Sequence, residues 1–247
     1  MGFCPSIFAM ARLPRLIVPH APHHIVQHGH DQSAIFRDAE DHQAFLGYLR
    51  DSARHYKVAI HAYNLLPGQF QLLATPADAD GLGAALQRTG RYYVPWFNAK
   101  HGRSGSLFAG RFKTAVIEAT PFFLQCSQYI EFCTTREQGA DGSDPLTHPW
   151  SSYAHHVGMR TDPLITDHAL YWALGNTPFQ REAAYKELCE RALTVAQIAV
   201  IEAAVLKGWP LGSEAFKHAL ARKATHQVLP AKRGRPGKKP PSDSVPN

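Results

Sequence analysis

At 247 residues the chain is long enough to bury a sizeable core, and 45% hydrophobic with 19% charged residues is the composition of a globular protein. No run of about 18 apolar residues occurs, which argues against a membrane span, and MGFCPSIFAMARLPRL lacks the basic segment that precedes a secretory apolar stretch. The net charge of +6 belongs to the end of the chain: from Arg222 onward seven Lys and Arg face the single Asp243, so the preceding residues sum to zero.

In chain order, Met10 reads as a more natural start than Met1, so residues 1–9 are expected to be a misassigned or disordered beginning. HHIVQHGH (23–30) alternates as a strand, and five of the fifteen histidines fall between His20 and His30. Residues 41–57 place Phe45, Leu46, Leu49 and Ala53 at helical spacing behind Asp41. VAIHAYNLL (58–66) and QFQLLATP (69–76) are two strands joined at Pro67-Gly68, a hairpin signal. A helix follows from about Asp80 to Lys100, with a bend expected at Pro95. The turn HGRSGS leads into GRFKTAVIEA, a fourth strand, and PFFLQCSQYIEFC (121–133) reads as a helix with proline in its first turn.

This order predicts an α+β protein, a ferredoxin-like βαββαβ antiparallel sheet with helices on one face, assigned to residues 10–139. REAAYKELCERAL, VAQIAVIEAAVLKGW and SEAFKHALARK then predict a helical extension over 140–224. Residues 225–247 carry LPAKRGRPGKKPPSDSVPN, too rich in Pro, Lys and Gly to bury anything, and are expected to be a disordered basic tail. The four cysteines show no C-x-x-C pair and read as reduced thiols.

Alternation on the third strand puts Gln69, Gln71 and Leu73 on one face and Phe70, Leu72 and Ala74 on the other. Two glutamines there are either surface filler or the remains of a site. The ordered segments ARLPRLIVPHAPHHIVQHG, AIHAYNLLPGQFQLLATP, GLGAALQRTGRYYVPWFNAKHGRSGSLFAGRFK, CSQYIEF, HPWSSY, DPLITDHALYWALG and KGWPLGSEAFKHAL decide between these. Together they resemble the REP-associated tyrosine transposases, a branch of the single-tyrosine HUH transposases. The resemblance implies a strand with two histidines spaced H-x-H, a divalent metal (Mg or Mn) polarising a single-stranded DNA phosphate, and a helical tyrosine that attacks it to leave a 5′-phosphotyrosine. Such chemistry suits those groups: a phenol with a pKa near 10 is a weak nucleophile, and a cation relieves its repulsion from an anionic phosphate.

The resemblance assigns Gln69 and Gln71 to the two histidine positions, where the family pattern is N-H-V-H-L-L and this chain has Gly68-Gln69-Phe70-Gln71-Leu72-Leu73. It assigns the nucleophile to Tyr129 and a third ligand position to Cys133, four residues on and on the same helix face. Of the family's N-P-V-R only Arg136 survives in CTTRE. All three ligand positions are substituted while the tyrosine remains, so cleavage is expected to be impaired or lost. Tyr129 also reads simply as a buried tyrosine with a satisfied hydroxyl. His24, His28 and His30 on the first strand offer an alternative set that could approach Gln69 and Gln71.

The expected partner is DNA, single-stranded or hairpin, met by Arg103, Arg111 and Lys113 around the GRFK segment. Lys232, Arg233, Arg235, Lys238 and Lys239 flank Gly234-Arg235-Pro236 in a motif resembling an AT-hook, which fits the narrow minor groove of A·T-rich duplex. Three functional readings follow: a hairpin-binding protein with a degenerate HUH site, an active metal-dependent bacterial transposase, or a non-catalytic repressor or architectural protein. A cytoplasmic, nucleoid-associated location is expected, with monomer and homodimer both open.

Overall fold

The computed structural model describes residues 15–138 and 145–223. Strands β1 (His23–His28), β2 (Val58–Leu66), β3 (Gln69–Pro76) and β4 (Lys113–Val116) form one antiparallel sheet in the order β2-β3-β1-β4. Helices α1 (Ala39–His55) and α2 (Gly81–Lys100) supply the crossovers and complete the βαββαβ ferredoxin-like arrangement. β2 and β3 run to the residues at which the Pro67-Gly68 turn separates them. α1 starts where Asp38 accepts from the Asp41 amide and Asp41 returns a bond to the Asp38 amide, a reciprocal cap. α2 continues through Pro95 as a single helix.

The two sheet faces carry separate cores. Ile25, Leu65, Phe70 and Leu72 pack with Phe45, Leu49, Tyr93 and Phe97 of α1 and α2. Val26, Ala62, Leu73 and Ala115 pack on the other face, against α3 (Ala119–Glu131) and a later helix. Following α3 come α4 (Cys133–Gln138), the single turns α5 (Tyr153–His156) and α6 (Ala169–Trp172), then α7 (Pro178–Glu190), α8 (Val195–Lys207) and α9 (Glu214–Lys223). α8 is that later helix: its Ile201, Ala204 and Val205 join Tyr129 and Ile130 in the second core.

The segments after α4 also close the sheet edges. Trp150 and Ser152 exchange backbone bonds with Leu65 and Tyr63 along β2, and Leu211 does the same with Val116 and Glu118 along β4. Both outer strands are thereby protected from pairing with another chain.

Two local expectations are corrected. β1 stops at His28, and His30 lies on a single 3₁₀ turn (His30–Gln32), so it leaves the strand face shared by His24 and His28. Gly29 permits this: the chain folds back so closely that a Cβ there would sit 2.0 Å from the Ser33 carbonyl oxygen. The helix expected over 121–133 ends at Glu131, with Phe132 as its cap, so Tyr129 and Cys133 stand on consecutive helices.

Candidate functional site

The register of β1 on β3 sets Val26 opposite Gln71 and His28 opposite Gln69. Gln69, Gln71 and Leu73 share the face covered by α3 and α8, as alternation predicts. There a cleft of about 370 Å³ is lined by His28, Gln69, Gln71, Tyr129, Cys133 and Arg136, and closed on its far side by Glu202, Val205 and Leu206 of α8. The fold therefore brings all four of the residues assigned to nucleophile and ligand positions into one space, despite the helix break at Phe132.

Their bonding is specific. His24 Nε2 donates to Gln71 Oε1 at 2.9 Å, and Gln71 Nε2 donates to Cys133 Sγ at 3.0 Å. Reversing the amide would change donors for acceptors and leave both ends engaged. His24 Nδ1 is buried without a partner, which is tolerable for a bare lone pair and fixes the proton on Nε2. Burial lowers the His24 pKa to about 4, with the Gln71 bond opposing and the Arg136 charge adding, so the imidazole stays neutral.

Tyr129 is 5% exposed. Its ring meets His24 edge-on at 5.5 Å and carries the Arg136 guanidinium on a face, 3.9 Å from the centroid. Its hydroxyl donates to Glu202 Oε1 at 3.1 Å. Burial raises the phenol pKa well above its ordinary value; Arg136 opposes the shift and Glu202 adds to it. At neutral pH the hydroxyl is protonated and capped.

Beneath the cleft, α3 is tied to the C-terminal helices through Glu131. This fully buried carboxylate accepts from Ser152 Oγ at 2.5 Å, His156 Nδ1 at 2.6 Å and Tyr185 Oη at 2.7 Å. Its own carbonyl accepts from Asn64 Nδ2 at 3.0 Å, so the end of the Tyr129 helix is pinned to β2 as well.

The residues assigned to DNA contact divide across the sheet. Lys113 is exposed on the Tyr129 face, opposite Val26. Arg111 is exposed on the other face, where it lines a cleft with Arg15, Phe108 and Phe112. Arg103 is half-buried beyond α2, donating to the Ser106 carbonyl. Lys232, Arg233, Arg235, Lys238 and Lys239 lie outside the described residues.

No family model matches the chain, and no curated protein matches it. A solved structure of a REP-associated tyrosine transposase bound to a REP hairpin superposes with a TM-score of 0.51 at 14% identity, covering 64% of this chain and 92% of that one. The chain has the fold of a REP-associated tyrosine transposase. A crystal structure of a candidate transposase from Deinococcus radiodurans R1 aligns with a TM-score of 0.32 at 22% identity, over 49% of this chain and 96% of that one.

Within this transposase-like fold, the residues at the assigned ligand positions do not fit a divalent cation. The Gln71 carbonyl already faces an N–H donor, its amide nitrogen faces Cys133, the Arg136 guanidinium lines the same cleft, and Glu202, its one carboxylate among the described residues, already accepts from the Tyr129 hydroxyl. Asp38, Asp41 and His101 do converge elsewhere. They stand at the ends of α1 and α2, the helices that pack on the other sheet face, and Lys100 Nζ is already there, 2.7 Å from Asp38 and 3.0 Å from Asp41. That cluster is an ion-paired helix start, not part of the Tyr129 cleft. Among the described residues no helix is long and apolar enough to cross a membrane.

Sequence reasoning reaches His24 only as one of an alternative ligand set, and it misses Glu202 and Glu131 as site partners. The signal for the two glutamates is present: each is an acidic residue in an otherwise apolar helix stretch, SQYIEFC and AVIEAAV.

Proposed function

We propose that this protein binds single-stranded or hairpin DNA of the palindromic-repeat type through the transposase-like unit, and that its tyrosine-mediated cleavage and rejoining is impaired or lost. One observation carries the reading: the Gln71 side chain is spent on His24 and Cys133, so two of the three assigned ligand positions are bonded to each other. DNA as the partner is supported by the fold and by the relative that holds a REP hairpin. Residues 10–139 form the DNA-recognising unit, 140–224 brace it through α7 and α8, and the 225–247 tail adds an AT-hook-like contact to duplex. Lys113 and Arg136 meet phosphates beside Tyr129, while Arg103 and Arg111 meet them on the opposite face. Action on DNA makes the location cytoplasmic and nucleoid-associated.

The test is an adduct assay with labelled hairpin oligonucleotides and Mg²⁺ or Mn²⁺, resolved on a denaturing gel. Intact hairpin binding with no covalent band, beside a related active enzyme that does react, is the expected result. A metal-dependent band abolished by Tyr129→Phe would overturn the loss of chemistry. A second reading, an active transposase, is favoured by one contact: Glu202 sits 3.1 Å from the Tyr129 hydroxyl, within reach to accept its proton. A role as repressor or architectural protein is the non-catalytic form of the first reading, and predicts unchanged hairpin affinity in Tyr129→Phe.

A further inference from the structure

The Tyr129 cleft contains a cation of its own. Arg136 lies over the tyrosine ring at 3.9 Å, and its Nη2 is buried with no hydrogen-bond partner. Glu202, the one carboxylate lining the cleft among the described residues, is taken by the Tyr129 hydroxyl. A guanidinium held over an aromatic face is restrained there, and its fork of N–H donors matches the geometry of a phosphate oxyanion. A cleft of about 370 Å³ has room for a phosphodiester with its sugar.

We propose that Arg136 is a phosphodiester-binding residue that stands in for a divalent cation, so that this cleft takes the backbone of single-stranded DNA without metal. The inference rests on the DNA-binding reading above and deepens it. A single positive charge can neutralise and orient a phosphate. It does not supply the second charge or the direct oxygen coordination that a metal brings to a developing transition state. Binding without efficient cleavage is the consequence. Glu202 is the opposing group: its carboxylate lies on the same tyrosine and repels an incoming phosphate, and Lys113 across β1 partly offsets it.

The experiment uses the full chain, a fluorescent single-stranded tetranucleotide too short to pair, and anisotropy in EDTA. Wild-type protein is expected to bind equally well with EDTA and with Mg²⁺. Arg136→Ala is expected to weaken binding ~10-fold or more, the scale of a charge-assisted hydrogen bond. Glu202→Gln, which keeps an acceptor for Tyr129, is expected to tighten it. Binding that collapses in EDTA, or an Arg136→Ala protein that matches wild type, overturns the proposal. Should Arg136→Ala fail to fold, Glu202→Gln decides alone: tightening supports the proposal, and no change or weakening overturns it. A parallel titration with hairpin DNA separates the two levels. Hairpin binding that survives while these variants change nothing removes Arg136 and leaves the DNA reading standing; absence of hairpin binding removes both.

Discussion

His24 on β1 and Gln71 on β3 share a 2.9 Å hydrogen bond on the sheet face that carries Tyr129. An imidazole is therefore present next to a ligand position, but its donor is used to hold an amide and its position is set by β1 and not by β3. The bond accounts for a site that is well packed although its assigned ligands are gone: His24, Gln71 and Cys133 satisfy one another. Calorimetric titration of Mn²⁺ is expected to give no cleft-specific heat. A Gln69→His, Gln71→His double variant is expected to raise Mn²⁺ affinity at least ~10-fold, because imidazole is a far better ligand than a carboxamide for that ion. Measurable Mn²⁺ binding by wild type as tight as that of the variant would show that the amides already hold metal.

How far the site was legible depended on where its parts lie in the chain. The hairpin β2–β3 could be bounded from Pro67-Gly68 alone, and alternation correctly set Gln69 and Gln71 on one face. The partners that define the cleft come from far away: Glu202 is 73 positions beyond Tyr129, and His24 is 47 before Gln71. No periodicity reports such contacts, since they depend on α8 packing across α3 and on strand order. The end of β1 was missed for a local reason of another kind, the steric closeness of Gly29 to Ser33, which becomes visible only once the chain has turned. The break at Phe132 was hidden because the i,i+4 pattern of Tyr129 and Cys133 runs straight through it.

Glu131 should be the most costly single substitution near the cleft. Glu131→Ala strands Ser152, His156 and Tyr185 around a buried void, and breaking one side of such a buried charged network costs about 3 to 5 kcal/mol. Urea denaturation is expected to show that loss. Glu131→Gln should retain part of the stability, since an amide oxygen still accepts from the hydroxyls. A loss below about 1 kcal/mol for the alanine variant would mean that water or a repacked neighbour replaces the carboxylate.

Deleting 230–247 removes Lys232, Arg233, Arg235, Lys238 and Lys239. For every DNA phosphate these side chains cease to neutralise, the slope of log affinity against log salt becomes shallower by about 0.9 on duplex DNA. Duplex binding of the truncated chain is expected to be weaker and its salt dependence flatter, with A·T-rich duplex affected most. Hairpin affinity should fall less, because the folded unit still contributes. An unchanged slope would place the duplex contacts elsewhere on the chain.

Acid should unfold this protein while its carboxylates are still largely ionised. His23, His24 and His61 are buried on or beside the sheet, and burial lowers each pKa to about 4. An unfolded chain takes up a proton at each of these positions near pH 6.5, while the folded chain holds them neutral until about pH 4. Between those values the unfolded state binds more protons, so stability falls as pH falls, by up to about 1.4 kcal/mol per pH unit for each histidine. Below the folded pKa both states are protonated and this contribution to the slope vanishes. Urea midpoints measured from pH 7.5 downward should therefore drop steeply below about pH 6.5, well before ordinary carboxylates titrate. His61 offers the cleanest dissection, because its partners are the Thr166 carbonyl at 2.6 Å and the Thr75 hydroxyl at 2.9 Å, away from the Tyr129 cleft. His61→Gln should cost stability at neutral pH and remove one histidine's share of the slope. A slope identical to wild type would mean that His61 is protonated in the folded protein and that the acid sensitivity comes from other groups.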